Sequence, residues 1–364
     1  MKGVFRIVTI SGIPLQVHWS FGLLLFYVLY MGKSLNLDWK GIALFALLVL
    51  ALFTCVVMHE FGHALAARRY GVQTKDIILS PIGGVARLNR LPDKPFQEFV
   101  IAIAGPLVNV AIALVLGLGL WLFSEQGLWP EGTERTLLGD RSNFIPMLFV
   151  MNIALVAFNM LPAFPMDGGR IFRSLLSIPL GRVKATRVAA LLGKSLAVLF
   201  VLWSIYSSDL VVGLIGVFVF ITATQEYRMV RFDGLLASHT VADIMRSQYT
   251  RISQSEPMTR PIHMLQHSME KNFLVFDEME QLRGVLHEAF IMEALKNGER
   301  EAPVAEFLST SYENLSMDDP LNKVLRLMQE NAYSILPVQK ENMLIGVVDV
   351  SMLNNFIRLQ QQLN

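Results

Sequence analysis

Long apolar stretches fill the chain as far as about residue 231, and beyond it only short ones remain, each broken by polar residues. A helix needs about 20 mostly apolar residues to cross the hydrocarbon core of a bilayer. Six segments are read as such crossings: residues 17–31, 41–65, 96–123, 144–161, 188–206 and 210–224. Trp19, Tyr27 and Tyr30 are placed on the first like interfacial anchors. That segment is not read as a cleavable signal peptide, because no small-residue cleavage site follows it and the next apolar run begins within ten residues. Residues 77–91, IILSPIGGVARLNRL, are too short and too broken to cross. Pro81 and the pair Gly83–Gly84 divide two apolar pieces, a pattern that fits a β-hairpin or re-entrant loop, with a plain surface loop as the alternative. Non-helical backbone is tolerated at membrane depth only where protein or a water-filled cavity surrounds it.

Composition and charge sharpen this division. The 364 residues are 53% hydrophobic and 17% charged, with mean hydropathy +0.46. An ordinary soluble enzyme and a disordered chain are both excluded by that balance. Cys55 is the only cysteine, so there is no disulfide scaffold, and a net charge of +1 gives no footprint for nucleic acid. Residues 1–239 carry 20 Lys/Arg against 13 Asp/Glu, and residues 240–364 carry 11 against 17. With the amino terminus inside, only Lys33, Lys40, Arg135 and Arg141 of the first set fall outside, so both termini are expected in the cytoplasm.

The second crossing ends in HEFGH, His59 to His63. Residues four apart share a helix face, so both imidazoles can reach one ion, and Glu60 beside the first can reach a water on it. Two histidines and a glutamate are expensive to bury in a membrane helix and imply function there. A catalytic zinc takes three protein ligands and leaves a fourth position open. The fourth crossing returns to the same depth and continues as NMLPAFPMDGGR, residues 159–170, where Asp167 is the only carboxylate between Asp140 and Asp209. Asp167 is therefore the expected third ligand, and a helix N-cap is its other reading. His18 is read as interfacial, Cys55 as a small packing residue, and Lys194 as reaching to the cytoplasmic surface.

These motifs resemble the site-2 proteases, the intramembrane zinc metalloproteases: HEFGH at 59–63, N-x-x-P-x-x-P-x-D-G-G at 159–169, and GPLVN at 105–109, which is similar to the family's third core helix. The resemblance covers about residues 1–230. It implies a zinc held by His59, His63 and Asp167, with Glu60 as general base and Asn159 steadying the substrate or the oxyanion. It also implies that the hairpin around Gly83 and Gly84 offers an edge strand to an unwound substrate, a single-pass membrane protein or a signal-peptide remnant.

Beyond residue 240 the chain repeats itself. One unit holds TVADIM at 240–245, a helical stretch near 261–271 and two strand-like pieces within 273–291; the other holds APVAEFL at 302–308, a helical stretch at 320–331 and two strand-like pieces within 334–353. This resembles a pair of CBS domains, a module that often binds adenosine nucleotides through G-h-h-[ST]-x-x-D. Here the corresponding residues are Gly284, His287 and Phe290, and Gly346, Asp349 and Met352. Both copies lack the hydroxyl residue and the ribose aspartate, so a structural or dimerising role is favoured over nucleotide binding.

The expected architecture is a polytopic α-helical membrane protein of about six transmembrane helices with a re-entrant β-hairpin, followed by an α/β CBS pair. The expected domains are a membrane-embedded protease over 1–231 and CBS motifs over 240–298 and 302–364. The expected setting is a multi-pass protein of a bacterial inner membrane, in contact with the bilayer, and forming a homodimer if the CBS pair associates. The competing class is an ion transporter carrying a CBS module, and a catalytically dead receptor is a third. Transport has no need of Glu60 between the two histidines.

Overall fold

The computed structural model describes residues 3–363 except 82, 90, 91, 93, 124–127, 130, 131, 133, 269, 332 and 342. Arg90 and Leu91, at the end of the expected hairpin segment, thus lie outside the described residues. The chain forms two compact units, Met1–Val230 and Arg231–Asn364.

The first unit opens with strands β1 (Val4–Ile10) and β2 (Ile13–His18), then helices α1 (Phe21–Ser34) and α2 (Trp39–Arg69). Strands β3 (Thr74–Ser80) and β4 (Gly83–Leu88) follow, then α3 (Pro95–Phe123), α4 (Glu134–Gly139), α5 (Phe144–Asn159), α6 (Asp167–Leu180), α7 (Arg182–Ser207) and α8 (Leu210–Ala237). Among the described residues, five helical segments are long and apolar enough to cross a membrane: Trp39–Arg69, Pro95–Phe123, Arg141–Asn159, Arg182–Ser207 and Leu210–Ala237.

The apolar stretch at 17–31 is divided between two elements. Residues up to His18 finish β2, and α1 has 14 residues, about 21 Å of helix against a hydrocarbon core of about 30 Å. The reason is local periodicity. Ile13 and Leu15 alternate with polar or half-buried neighbours and enter a core with Ala64, Ile77 and Leu79, while Leu15, Gln16 and Val17 pair in parallel with Ile77, Ile78 and Leu79. Period two wins over the helical reading there.

The strands make one sheet in the order β1-β2-β3-β4, with β1–β2 and β3–β4 antiparallel. The segment from Ile77 is therefore a hairpin, with Ser80 paired to Gly83 across its turn, and β4 is an outer strand. Helix α2 starts where the Asp38 carboxylate accepts the Gly41 N–H at 2.8 Å, and it ends on Arg68 and Arg69, cations that complement the helix C-terminus.

The second unit contains two similar halves. Strands β5 (Arg251–Ser253), β6 (Phe273–Phe276) and β7 (Leu282–Leu286) form one sheet with helices α9 (Thr259–His267) and α10 (Glu288–Asn297). Strands β8 (Leu315–Ser316), β9 (Ile335–Lys340) and β10 (Met343–Asp349) form the other, with α11 (Leu321–Glu330) and α12 (Val350–Leu363). Each half has one parallel and one antiparallel pairing.

The sequence repeats and the structural halves are offset. Leu236 and Val241 are buried with Leu315, Leu336 and Leu353 in the second half, whereas Val304 is buried with Ile252, Phe273 and Leu286 in the first. Backbone bonds make the same exchange: Arg246 N–H donates to Val347, and Val285 and Ser309 bond each other. Each repeat thus lends its leading segment to the other.

Candidate metal centre

His59 and His63 lie one turn apart on α2, both buried, with ring centroids 4.7 Å apart. Their Nε2 atoms are 3.0 Å apart, and Asp167 Oδ2 lies 3.0 Å from the first and 3.1 Å from the second. Asp167 is the first residue of α6, and Met166 occupies the N-cap. The N-cap reading of Asp167 therefore gives way to a carboxylate aimed at two imidazoles.

The far nitrogens of the two rings are held differently. His63 Nδ1 donates to the Ile101 carbonyl at 2.7 Å, directly to backbone. His59 Nδ1 is 2.5 Å from Asn109 Oδ1 on α3. Asn109 donates to Asn152 Oδ1 on α5 at 2.9 Å, and Asn152 donates to the Leu148 carbonyl at 2.8 Å. With both Nδ1 atoms donating, both Nε2 atoms present lone pairs. Two lone pairs and a carboxylate oxygen within about 3 Å repel unless a cation stands among them. Two neutral imidazoles and one carboxylate are a ligand set that suits zinc. Among the described residues, these three are the group of His, Cys, Asp and Glu side chains that could hold a metal ion.

Helix α3 passes against this cluster at Gly105. A Cβ there would stand 2.2 Å from His63 Nε2 and 2.7 Å from His59 Nε2, so any side chain would occupy the space the three ligand atoms face. Glu60 is half-buried and its Oε2 accepts the Ala86 N–H of β4 at 2.9 Å. A Cβ on Gly84 would lie 2.8 Å from Glu60 Cγ, which explains the second glycine of the pair: β4 crosses α2 closely at the carboxylate. Gly83, at φ +138°, makes the turn. Since Ala86 N–H goes to Glu60 and not to β3, it belongs to the outer edge of the sheet.

Asn159 is the last residue of α5 and half-buried, and among the described residues its side chain makes no hydrogen bond. Cys55 packs with Leu48 and Leu148 and lies 3.5 Å from Asn152 Nδ2. His18 bonds Ser20, and Lys194 lies 5.6 Å from the centroid of the Phe220 ring. None of these three joins the cluster.

Sequence reasoning missed Arg173, which is 1% exposed. Its Nε donates to Glu98 on α3 at 2.6 Å and its Nη1 to Glu226 on α8 at 2.7 Å, while the guanidinium lies 4.9 Å from the centroid of the Phe164 ring. It thereby fastens α6, the helix that begins with Asp167, to two neighbours. The signal was available as an arginine and two glutamates embedded in otherwise apolar surroundings.

In the second unit, His287 stands where a CBS nucleotide pattern carries its hydroxyl residue, and burial pushes its pKa down. Asp349, at the equivalent place in the second half, accepts the Met352 N–H at 2.9 Å and so caps α12.

Residues 47–203 match the model of peptidase family M50, and residues 304–358 match that of the CBS domain. Zinc metalloprotease MJ0392 of Methanocaldococcus jannaschii is 37% identical over 248 residues, covering 67% of this chain and 67% of that protein. The putative zinc metalloprotease Rip3 of Mycobacterium tuberculosis is 29% identical over 275 residues, covering 68% and 65%. The solved structure of the site-2 protease from Methanocaldococcus jannaschii is 37% identical in sequence and aligns with 62% of this chain and 95% of that one, at a TM-score of 0.47. With the buried histidines and aspartate, the family-model matches and the likeness to MJ0392 lead to one conclusion: the chain is a zinc metalloprotease of peptidase family M50, the site-2 protease family, carrying a CBS module.

Proposed function

We propose that this chain hydrolyses a peptide bond in or near the transmembrane segment of membrane-anchored proteins, with zinc held by His59, His63 and Asp167. The observation that carries this reading is the convergence of two imidazole Nε2 atoms and one carboxylate oxygen within 3.0–3.1 Å, inside a helical membrane protein. Zinc, when bound, supplies Lewis acidity toward the scissile carbonyl and lowers the pKa of water toward about 7. Glu60 takes the proton of the attacking water and returns it to the leaving amine. Asn159 steadies the substrate or the developing oxyanion.

A helical substrate hides its peptide bonds, so it must unwind before attack. The outer edge of β4, which begins at Gly83–Gly84, is suited to hold it extended by strand addition. The excess of Lys and Arg in the loops that follow α2, α5 and α8 supports a cytoplasmic CBS pair. The CBS pair regulates or dimerises the protease.

The test uses the full chain purified in detergent, wild type against Glu60→Gln, with zinc stoichiometry and cleavage of a single-pass membrane protein measured together. One zinc per chain in both, with cleavage falling by about 10²–10⁴-fold in the variant, is expected. Absence of zinc from the wild type, or equal cleavage by both, would overturn the reading.

A further inference from the structure

We propose that Asn152 is a positioning residue for the zinc ligand His59, acting through Asn109 to fix which ring nitrogen carries the proton. The inference rests on the reading of His59 as a ligand and goes beyond it to a residue that touches neither metal nor substrate.

The Leu148 carbonyl can accept a hydrogen bond and cannot donate one. Asn152 Nδ2 lies 2.8 Å from it and 3.5 Å from Cys55 Sγ. Turning this amide over would set its oxygen against the carbonyl, so the nitrogen stays on that side and Oδ1 faces Asn109. Asn109 must then present Nδ2 across the 2.9 Å contact, because its own oxygen would meet another oxygen there. That leaves Asn109 Oδ1 toward His59, and at 2.5 Å from an acceptor His59 Nδ1 must be the protonated nitrogen. Nε2 is left with its lone pair on the side of Asp167 and His63.

Both asparagines are 0% exposed, so no bulk water can substitute for a lost link. His63 needs no such chain, since it donates straight to the Ile101 carbonyl. The two ligands therefore depend on side chains to different degrees. Asn152, 93 residues from His59 in sequence and on a different helix, governs only one of them.

The experiment measures zinc affinity of the full chain in detergent by competition with a chromogenic chelator. Asn152→Leu removes the acceptor that orients Asn109, and a loss of about 10–100-fold in zinc affinity is expected. Asn152→Asp is the folding control and the rescue: as a neutral acid it donates to Leu148 and accepts from Asn109, so affinity near wild type is expected. Asn109→Asp presents an acceptor oxygen to His59 in either orientation, while its other oxygen faces Asn152 Oδ1, a contact that Asn152→Leu removes. In that background Asn152→Leu is expected to cost little.

Unchanged affinity in Asn152→Leu would overturn the proposal. So would equal losses in Asn152→Leu and Asn152→Asp, or the same loss from Asn152→Leu in both backgrounds, since each of these describes packing and not orientation. A wild type without zinc would instead sink the reading of His59 as a ligand.

Discussion

Among the described residues, every polar or charged residue that is buried as a whole falls between His59 and Thr186, in the membrane unit. The C-terminal unit buries Ile252, Leu274, Leu336 and Val348 instead, and its ion pairs keep their cations open to solvent. The outsides are reversed as well. The first unit exposes Phe26, Trp121, Phe123 and Tyr206, whereas the second exposes few large apolar side chains, such as Met279 and Met343. In water, burying apolar area is the main driving force and polar contacts add little net stability. In lipid, apolar contacts between helices have no such advantage over contacts with the acyl chains, so packing and buried polar bonds carry specificity. The same bond is thus a structural determinant in one unit and an accessory in the other.

The comparison can be broken at three points. Gly105→Ala has the largest expected effect: its Cβ would enter the space between the two imidazoles, so bound zinc and proteolysis should both be lost. Metal analysis of the purified variant checks this, and a full complement of zinc would show that α3 can retreat. Arg173→Gln comes next. It leaves Glu98 and Glu226 facing a neutral group, and breaking a buried pair costs about 3–5 kcal/mol. Unfolding of the membrane unit in mixed micelles should shift accordingly. Arg260→Gln is the smallest. Arg260 is exposed and its partner Glu256 half-buried, and a pair open to solvent on one side contributes about 0–1 kcal/mol. Equal costs at Arg173 and Arg260 would remove the distinction between the units.

The chain revealed much of this to inspection, unevenly. The HExxH spacing by itself sets two imidazoles on one helix face, and the scarcity of carboxylates between Asp140 and Asp209 singled out Asp167. The hairpin was legible from its glycine pair and flanking apolar pieces. The first apolar stretch was misleading, because a strand buried on one side and a membrane helix both begin as runs of Val, Leu and Ile. Asn109 and Asn152 look like any polar residues in a helix until α2, α3 and α5 are brought together. Ile101 was invisible for another reason: it acts through its carbonyl, which every residue has. The exchange of leading segments in the second unit was hidden because a sequence repeat says which residues are alike, not which ones touch.

That exchange also has a meaning during synthesis. Val241 leaves the ribosome early, but the residues that bury it run on to Leu353, more than a hundred positions later. At roughly 5–20 residues per second, the segment just after the last membrane helix waits on the order of 5–25 seconds for its partners. A nascent chain cut short before β9 and β10 would therefore leave Leu236 and Val241 bare beside the membrane. The C-terminal unit thus closes this core only after β9 and β10 have been made, when the protease unit ahead of it has already left the ribosome.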